Sequence, residues 1–238
     1  MENSKILTDA LDELKIEYDD KKIQLLLKYY DMLIEKNKVM NLTAITDFNE
    51  VMIKHFADSL SVLKFVEFED GNKVLDLGTG AGFPGIPLKI FLPNVEFLLV
   101  DSVNKKLNFI NEVIEKLGLN KISVLHARAE ELGHKEDFRE KFDFVCSRAV
   151  ANLSTLSEYT IPFLRQDGLF VSYKASIVNE EISNAEKAIK ILGAKIEKVE
   201  KFSLPGIGDE RDFVFIKKIS KTPKKFPRKS GVPSKEPL

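Results

Sequence analysis

Residues 74–85 read VLDLGTGAGFPG, and this stretch decides the fold. A buried-type apolar run ends in glycines at three alternate positions, Gly78, Gly80 and Gly82, and Pro84 can begin the helix that follows. Glycine permits left-handed backbone and lets the main chain approach a ligand closely. In a parallel sheet such a turn lies at the carboxyl end of a strand, where ligands bind. The stretch therefore predicts a strand, a cofactor-binding turn and a helix.

On the carboxyl-terminal side of this loop, short apolar runs alternate with helical periodicity. We predict helices at 84–91, 104–117, 153–163 and 177–192, and strands at 73–78, 95–101, 122–127, 142–147, 168–174, 194–204 and 211–219. The last two strands have no crossover helix between them, so they pair antiparallel. The predicted fold is α/β, a Rossmann-like seven-stranded sheet whose last strand pair is antiparallel. This arrangement is typical of class I S-adenosylmethionine-dependent methyltransferases.

Three regions follow from the pattern along the chain. Apolar residues at helical spacing predict two helices before residue 35 and a third over about 49–64, so residues 1–70 form an N-terminal helical cap. Residues 71–220 form the methyltransferase domain, and residues 221–238 form a basic, proline-rich C-terminal tail. From 217 onward, eight Lys or Arg residues stand against Glu236 alone, although the whole chain has a net charge of -1. The tail is either an RNA anchor or a solvated extension.

Composition excludes several other classes of protein. Charged residues interrupt the first thirty positions, so we expect no signal peptide, no membrane association and a cytoplasmic location. The single cysteine, Cys146, supplies neither an internal disulfide nor a metal cluster, and we expect no metal.

Two cofactors fit the glycine loop. Gly80-x-Gly82-x-x-Gly85 also satisfies the dinucleotide fingerprint, with Asp101 ending the second strand to hold ribose hydroxyls. Asp76 lies inside the first strand, where dehydrogenases usually keep an apolar residue and methyltransferases place an acid near the methionine moiety. The pattern therefore favours S-adenosylmethionine over a nicotinamide dinucleotide. After the third strand, the backbone amides of Ala129 and Glu130 would read adenine, unless Glu130 merely begins a helix.

The segment after the fourth strand bears on the methyl acceptor. Ser147-Arg148 lacks the Asp/Asn-Pro-Pro-aromatic run that serves exocyclic amines, and Cys146 lies inside the strand, unsuited to attack on a pyrimidine. Guanine N7 needs no proton removed, and Arg148 could donate to guanine O6 or form an ion pair at the sheet edge. Lys174 and Arg211, at the ends of strands, could meet RNA phosphate, although exposed cations usually carry no such role.

The chain closely resembles the bacterial family of ribosomal small-subunit methyltransferase G, also called glucose-inhibited division protein B. The resemblance spans nearly the whole chain and rests on Asn41-Leu-Thr43, His55-x-x-Asp58, the loop at 76–87, Val100-Asp-Ser102, Arg128-Ala-Glu130, Ser147-Arg-Ala149 and the tail at 222–238.

This resemblance implies N7-methylation of one guanine in the decoding-region loop of 16S rRNA, with the 30S subunit or its precursor as partner. It also implies cofactor contacts at Gly78, Phe83, Ala129, Glu130 and Arg148. His55 and Asp58 either line the substrate side or form hydrogen bonds on a helix surface. A non-catalytic RNA-associated module that keeps the cofactor fold is the rival hypothesis.

Overall fold

The computed structural model describes residues 4–148, 151–175 and 179–238. Before the sheet lie α1 (Lys5–Leu14), α2 (Asp20–Asn37) and a helical run from residue 48 to residue 64. The run comprises α3 (Phe48–Val51), a π-helical turn (Met52–Ala57), α4 (Asp58–Leu60) and a 3₁₀ turn (Ser61–Lys64). The predicted third helix is confirmed in extent, but its π-helical turn was not predicted. Such turns concentrate at functional sites.

Strands and helices then alternate as predicted. The strands are β1 (Lys73–Leu77), β2 (Glu96–Asp101), β3 (Ile122–His126), β4 (Phe142–Arg148), β5 (Leu164–Lys174), β6 (Ala194–Ser203) and β7 (Glu210–Lys218). The helices are α5 (Gly85–Phe91), α6 (Asn104–Leu117), α7 (Ala129–Leu132), α8 (Leu153–Thr160), α9 (Asn179–Ile191) and α10 (Val232–Lys235). The predicted start of α9 near 177 lies outside the described residues.

The sheet has the order β3-β2-β1-β4-β5-β7-β6. Strands β1 to β5 are parallel, and β7 pairs antiparallel with both β5 and β6. The predicted class I methyltransferase sheet is therefore confirmed. The chain moves outward from β1 to β3 and then returns to β4, so β1 and β4 flank the switch point. Ligands bind at such a point, beyond the carboxyl ends of the strands.

Hydrophobic side chains cover both faces of the sheet. On one face, α1, α2 and the helical run at 48–64 share a single core with β1, β2 and α6, including Leu26, Tyr29, Val74 and Phe109. On the other face, α8 and α9 bury Leu156, Ile189 and neighbouring side chains. The described part of region 1–70 therefore packs as one layer of the sheet domain.

Residues 221–238, here called the C-terminal segment, fold back against the body. The Phe226 side chain is buried, and Arg228 pairs with the buried Glu158 at 2.6 Å. The neighbouring Lys218 is also buried and donates to the Ile161 carbonyl and to Thr222. The alternative of a wholly solvated extension is therefore wrong, because apolar burial and ion pairing fix the backbone of the segment. Lys224, Lys225 and Lys229 remain exposed.

Candidate active site

The glycine loop joins β1 to α5 at the switch point. Gly78 and Gly80 have φ of 75° and 62°, a left-handed conformation that other residues rarely adopt. The Asp101 carboxylate accepts from Gly80 N at 2.9 Å and from Val103 N at 2.8 Å. Asp101 therefore holds the loop against the end of β2 while standing beside the space above it.

Asp76 supports the loop from below. Its side chain is 1% exposed, and Oδ2 accepts from Thr79 Oγ1 at 2.6 Å and from Gly85 N at 2.9 Å. Its Oδ1 has no hydrogen-bond partner among the described residues. Burial, opposed by these hydrogen bonds, raises the pKa of this carboxyl to about 6. The loop thus rests on a carboxylate with an acceptor still available.

Gly82 does not line the cavity above the loop, contrary to its predicted role in cofactor binding. Its φ is 106°, and a Cβ there would lie 2.7 Å from Ile86 Cγ1 and 2.8 Å from Tyr29 Oη. The Tyr29 hydroxyl donates to the Ala81 carbonyl at 2.5 Å. Gly82 is therefore required for close packing between the loop and α2.

A cavity of about 520 Å³ opens above the loop. It is bounded by the other cofactor-binding residues predicted from the sequence, namely Gly78, Gly80, Phe83, Asp101, Ala129, Glu130 and Arg148. The wall also includes Leu42, Thr43 and His55 from the region before β1, and Tyr159 of α8. We call it the first cavity.

His55 stands at one side of the first cavity in a fixed orientation. Its ring stacks on Phe83 with centroids 4.5 Å apart, and Nε2 lies 2.8 Å from Thr43 Oγ1. Nδ1 lies 3.3 Å from Arg148 Nη2, which can only donate, and 3.2 Å from the Lys54 carbonyl, which can only accept. Burial, and then the Arg148 charge, lower the pKa of His55 to about 3. The imidazole is therefore neutral at physiological pH.

A second cavity of about 390 Å³ shares His55 and Arg148 with the first. Its wall includes Lys54, Asp58, Tyr173, Lys174, Arg211 and Phe213. The Asp58 carboxylate accepts from Arg148 Nη1 at 2.8 Å and from Arg211 Nε at 3.0 Å. The π-helical turn ends immediately before Asp58, so the helical run delivers both His55 and Asp58 to this junction. Both side chains form hydrogen bonds and also line this cavity, so the two alternatives predicted for them are not exclusive.

Lys174 lies at this cavity but is already engaged. Its Nζ donates to Glu181 Oε1 at 2.7 Å and to the Ala151 carbonyl at 2.9 Å. The same Glu181 oxygen accepts from Leu153 N at 2.8 Å. In this geometry Lys174 links β5 to the start of α8 and to α9, so two of its three N–H donors are already used within the protein.

The remaining sequence candidates lie elsewhere. Cys146 is fully buried, and burial raises the pKa of its thiol well above the usual range. The Ala149 position of the quoted motif lies outside the described residues. Within the described ranges, no group of three or more His, Cys, Asp or Glu side chains could hold a metal ion. No described helix is long and apolar enough to cross a membrane.

This sheet, with a cavity above a glycine loop at its switch point, defines the class of Rossmann-like methyltransferases. Solved structures have the same fold: a SAM-dependent methyltransferase from Aquifex aeolicus matches with a TM-score of 0.54 and 20% identity, over 78% of this chain and 98% of that one. TYW2 of M. jannaschii, solved in complex with AdoMet, matches with a TM-score of 0.50 and 16% identity, over 63% of this chain and 68% of that one.

Sequence relatives identify the family. The model of the family GidB, described as rRNA small subunit methyltransferase G, matches residues 22–213. Ribosomal RNA small subunit methyltransferase G of Desulforamulus reducens is 49% identical over 98% of this chain and 97% of its own length. The protein of the same name from Lachnoclostridium phytofermentans is 53% identical over 88% of this chain and 87% of its own. The chain belongs to the rRNA small subunit methyltransferase G family.

Proposed function

We propose that the protein transfers a methyl group from S-adenosylmethionine to N7 of a guanine in 16S ribosomal RNA. The observation that carries the proposal is the meeting of two cavities at His55 and Arg148. One cavity lies above the glycine loop, where the fold binds its cofactor, and the other is lined by cations that suit an RNA nucleotide.

The first cavity fits S-adenosylmethionine. Its 520 Å³ falls within the range of about 300–1,000 Å³ typical of small-molecule sites. The space beside Gly80 is open, because a Cβ there would meet nothing of the described chain closer than 4.0 Å. The carboxylates of Asp101 and Glu130 in the wall suit a cationic ligand with hydroxyl groups. Asp101 would hold the ribose, Ala129 and Glu130 the adenine, and the main chain at Gly78 and Gly80 the methionine part.

When bound, the cofactor supplies an electrophilic methyl group on a positively charged sulfur. Guanine N7 presents an in-plane lone pair without a proton, so the protein has to align the reactants and needs no general base. Both ring nitrogens of His55 are engaged, Nδ1 with Arg148 and the Lys54 carbonyl and Nε2 with Thr43, and Asp58 is already shared by two guanidinium groups. Both groups are therefore poorly placed to remove a proton from an exocyclic amine, and N7 is the acceptor that the junction favours.

The cations around the second cavity would hold the nucleotide. Arg148 reaches both cavities and would donate to guanine O6, while Arg211 and Lys54 would meet the phosphate backbone. The partner is then 16S rRNA within the 30S subunit or its precursor, and the reaction takes place in the cytoplasm.

We expect the wild-type protein to transfer labelled methyl from S-adenosylmethionine to 30S-derived material, with the label mapping to N7 of a single guanine. Label on another base, or on an exocyclic amine, would refute the acceptor assignment. A protein that binds 16S rRNA and the cofactor without transfer would instead be the non-catalytic binding module.

The matched variants Gly80→Val and Gly118→Val isolate the first cavity in the same assay. Both glycines have nearly equal φ, +62° and +64°, so valine imposes similar backbone strain, but only Gly80 faces the cavity. Gly80→Val should abolish transfer and the cofactor-induced rise in melting temperature, whereas Gly118→Val should retain both. NAD should produce no rise with the wild type.

A further inference from the structure

The adenine side of the first cavity is held in place from the far end of the chain. Glu130, which lines the cavity and is 7% exposed, accepts a hydrogen bond on Oε1 from Gly231 N at 3.0 Å. The donor belongs to the C-terminal segment, far from Glu130 along the chain. The Glu130 carboxylate therefore has its orientation set by a part of the molecule that does not line the cavity.

Two anchors on α8 fix the segment on either side of Gly231. Before it, Arg228 binds Glu158 through its backbone N at 2.7 Å, its Nε at 3.0 Å and its Nη2 at 2.6 Å. After it, the Pro233 carbonyl accepts from Thr155 Oγ1 at 2.9 Å. The Gly231 amide thus lies between the two points at which the C-terminal segment is bound to α8.

The first anchor is also adjacent to the cavity wall. Glu158 is fully buried, and the next residue, Tyr159, lines the first cavity. A buried carboxylate that lost its charged partner would be costly, so helix and segment must adopt this arrangement together. The Glu158–Arg228 ion pair is therefore connected to two parts of the wall. Tyr159 follows Glu158 on α8, and Glu130 is bonded to Gly231 of the C-terminal segment.

We propose that Glu158 and Arg228 are positioning residues for cofactor binding, which hold the C-terminal segment so that the Gly231 amide orients Glu130 on the adenine side. This inference rests on the proposed function, because Glu130 must face the cofactor for its orientation to matter. Neither residue touches the reacting atoms, and so their loss should weaken cofactor binding and leave the methyl-transfer step intact.

The test compares Glu158→Gln, Arg228→Gln and Arg228→Lys with the wild type, at a temperature where all remain folded. The two glutamine variants should raise both the KM and the calorimetric Kd for S-adenosylmethionine about tenfold, the effect of one lost charged hydrogen bond. The kcat at saturating cofactor should be unchanged. Arg228→Lys keeps the charge and should lie closer to the wild type than Arg228→Gln does.

Asp143→Asn is the matched control at the opposite end of the sheet. Asp143, at the start of β4, pairs with Arg165 Nε at 2.5 Å and accepts from Lys73 N at 2.7 Å. This variant should lower the melting temperature without changing the KM for the cofactor. An equal rise in KM for Asp143→Asn and Glu158→Gln, or a loss confined to kcat, would overturn the inference.

A chain that stops after Ser230 gives an independent check, since it keeps the Arg228–Glu158 pair and removes the Gly231 amide. It should also bind the cofactor more weakly, and unchanged affinity would contradict the role of Gly231. Failure of the proposed function is distinguishable, because the wild type would then bind cofactor but methylate no RNA.

Discussion

Arg148 makes a set of contacts that a point charge cannot make together. Its guanidinium donates to Asp58 Oδ2 at 2.8 Å and to the Lys54 carbonyl at 3.2 Å, lies 3.3 Å from His55 Nδ1, and stands 5.0 Å from the centre of the Phe83 ring. These groups lie around the junction of the two cavities. A planar fork of donors can meet them simultaneously, which an ammonium group cannot.

Arg148→Lys should therefore lower kcat/KM for RNA methylation by about tenfold or more, as expected when charged hydrogen bonds are lost. Steady-state kinetics with cofactor and RNA varied separately would measure it. Arg211→Lys is the matched comparison, because Arg211 binds the other oxygen of Asp58 but borders only the second cavity. It should leave cofactor affinity unchanged. Near-normal turnover in Arg148→Lys would show that the guanidinium of Arg148 is not needed for the reaction.

For single residues, the sequence predicted the cavity wall best where the residues belong to one short motif. Glycines in one loop and residues at strand ends share a cavity because parallel strands end at one edge of the sheet. No role was predicted for Leu42, Thr43 or Tyr159, which reach the first cavity from the loop after α2 and from α8. Gly82 lies outside the first cavity although its spacing matches that of Gly78 and Gly80, because its contacts with Tyr29 and Ile86 depend on the docked position of α2.

Among the elements, the periodicity of apolar residues predicted the extent of α6 as 104–117, which the structure confirms. In α6 one buried stripe faces the sheet, and Gly118 at φ 64° ends the helix. The π-helical turn at 52–57 could not be read in the same way. Periodicity analysis assumes a constant value of about 3.6 residues per turn, so it cannot show a single widened turn, which alters where His55 and Asp58 point.

The contact between the glycine loop and α2 predicts the effect of Gly82→Ala. The added methyl group would clash with Ile86 and Tyr29, so we expect a loss of unfolding free energy of about 2–4 kcal/mol from strain and overpacking. Urea denaturation would measure it. Gly71→Ala is the control, because Gly71 has φ +84° and a methyl group added there would have no atom within 4 Å. If Gly82→Ala and Gly71→Ala lower the free energy of unfolding equally, the contact between the loop and α2 adds nothing to the cost of backbone strain.

In the whole molecule, charge is distributed differently from the sequence-based expectation. Two of the cations counted from residue 217 onward form contacts inside the protein. Lys218, at the end of β7, donates buried hydrogen bonds, and Arg228 pairs with Glu158. Composition could not reveal this, since it does not say which cations meet buried carbonyls or carboxylates. Lys224, Lys225 and Lys229 remain exposed on a segment whose backbone is fixed, which is a better anchor for RNA than a free extension.

Replacing Lys224, Lys225 and Lys229 with glutamate should weaken RNA binding and reduce the slope of log affinity against log salt by about two to three, at roughly 0.7–0.9 per phosphate contact. Arg228 is not replaced, because Arg228→Glu would leave the buried carboxylate of Glu158 without its cationic partner. Binding titrations at several salt concentrations would measure the slope. The same change at the exposed Lys21, Lys28 and Lys116 controls for net charge. Equal slopes in the two triple variants would make the segment irrelevant to RNA.

The pairing of one Asp58 with two arginines has a consequence for the departure of the product. Under the proposed reaction the guanine enters neutral and leaves cationic, because N7 gains a methyl group and loses no proton. Arg148 shares the carboxylate of Asp58 with Arg211, which also lies 3.7 Å from Asp209, so the charge of Arg148 is only partly neutralised. Under that reaction the Arg148 guanidinium that would hold the neutral base would repel the cationic product, and we expect RNA that is already methylated to rebind more weakly.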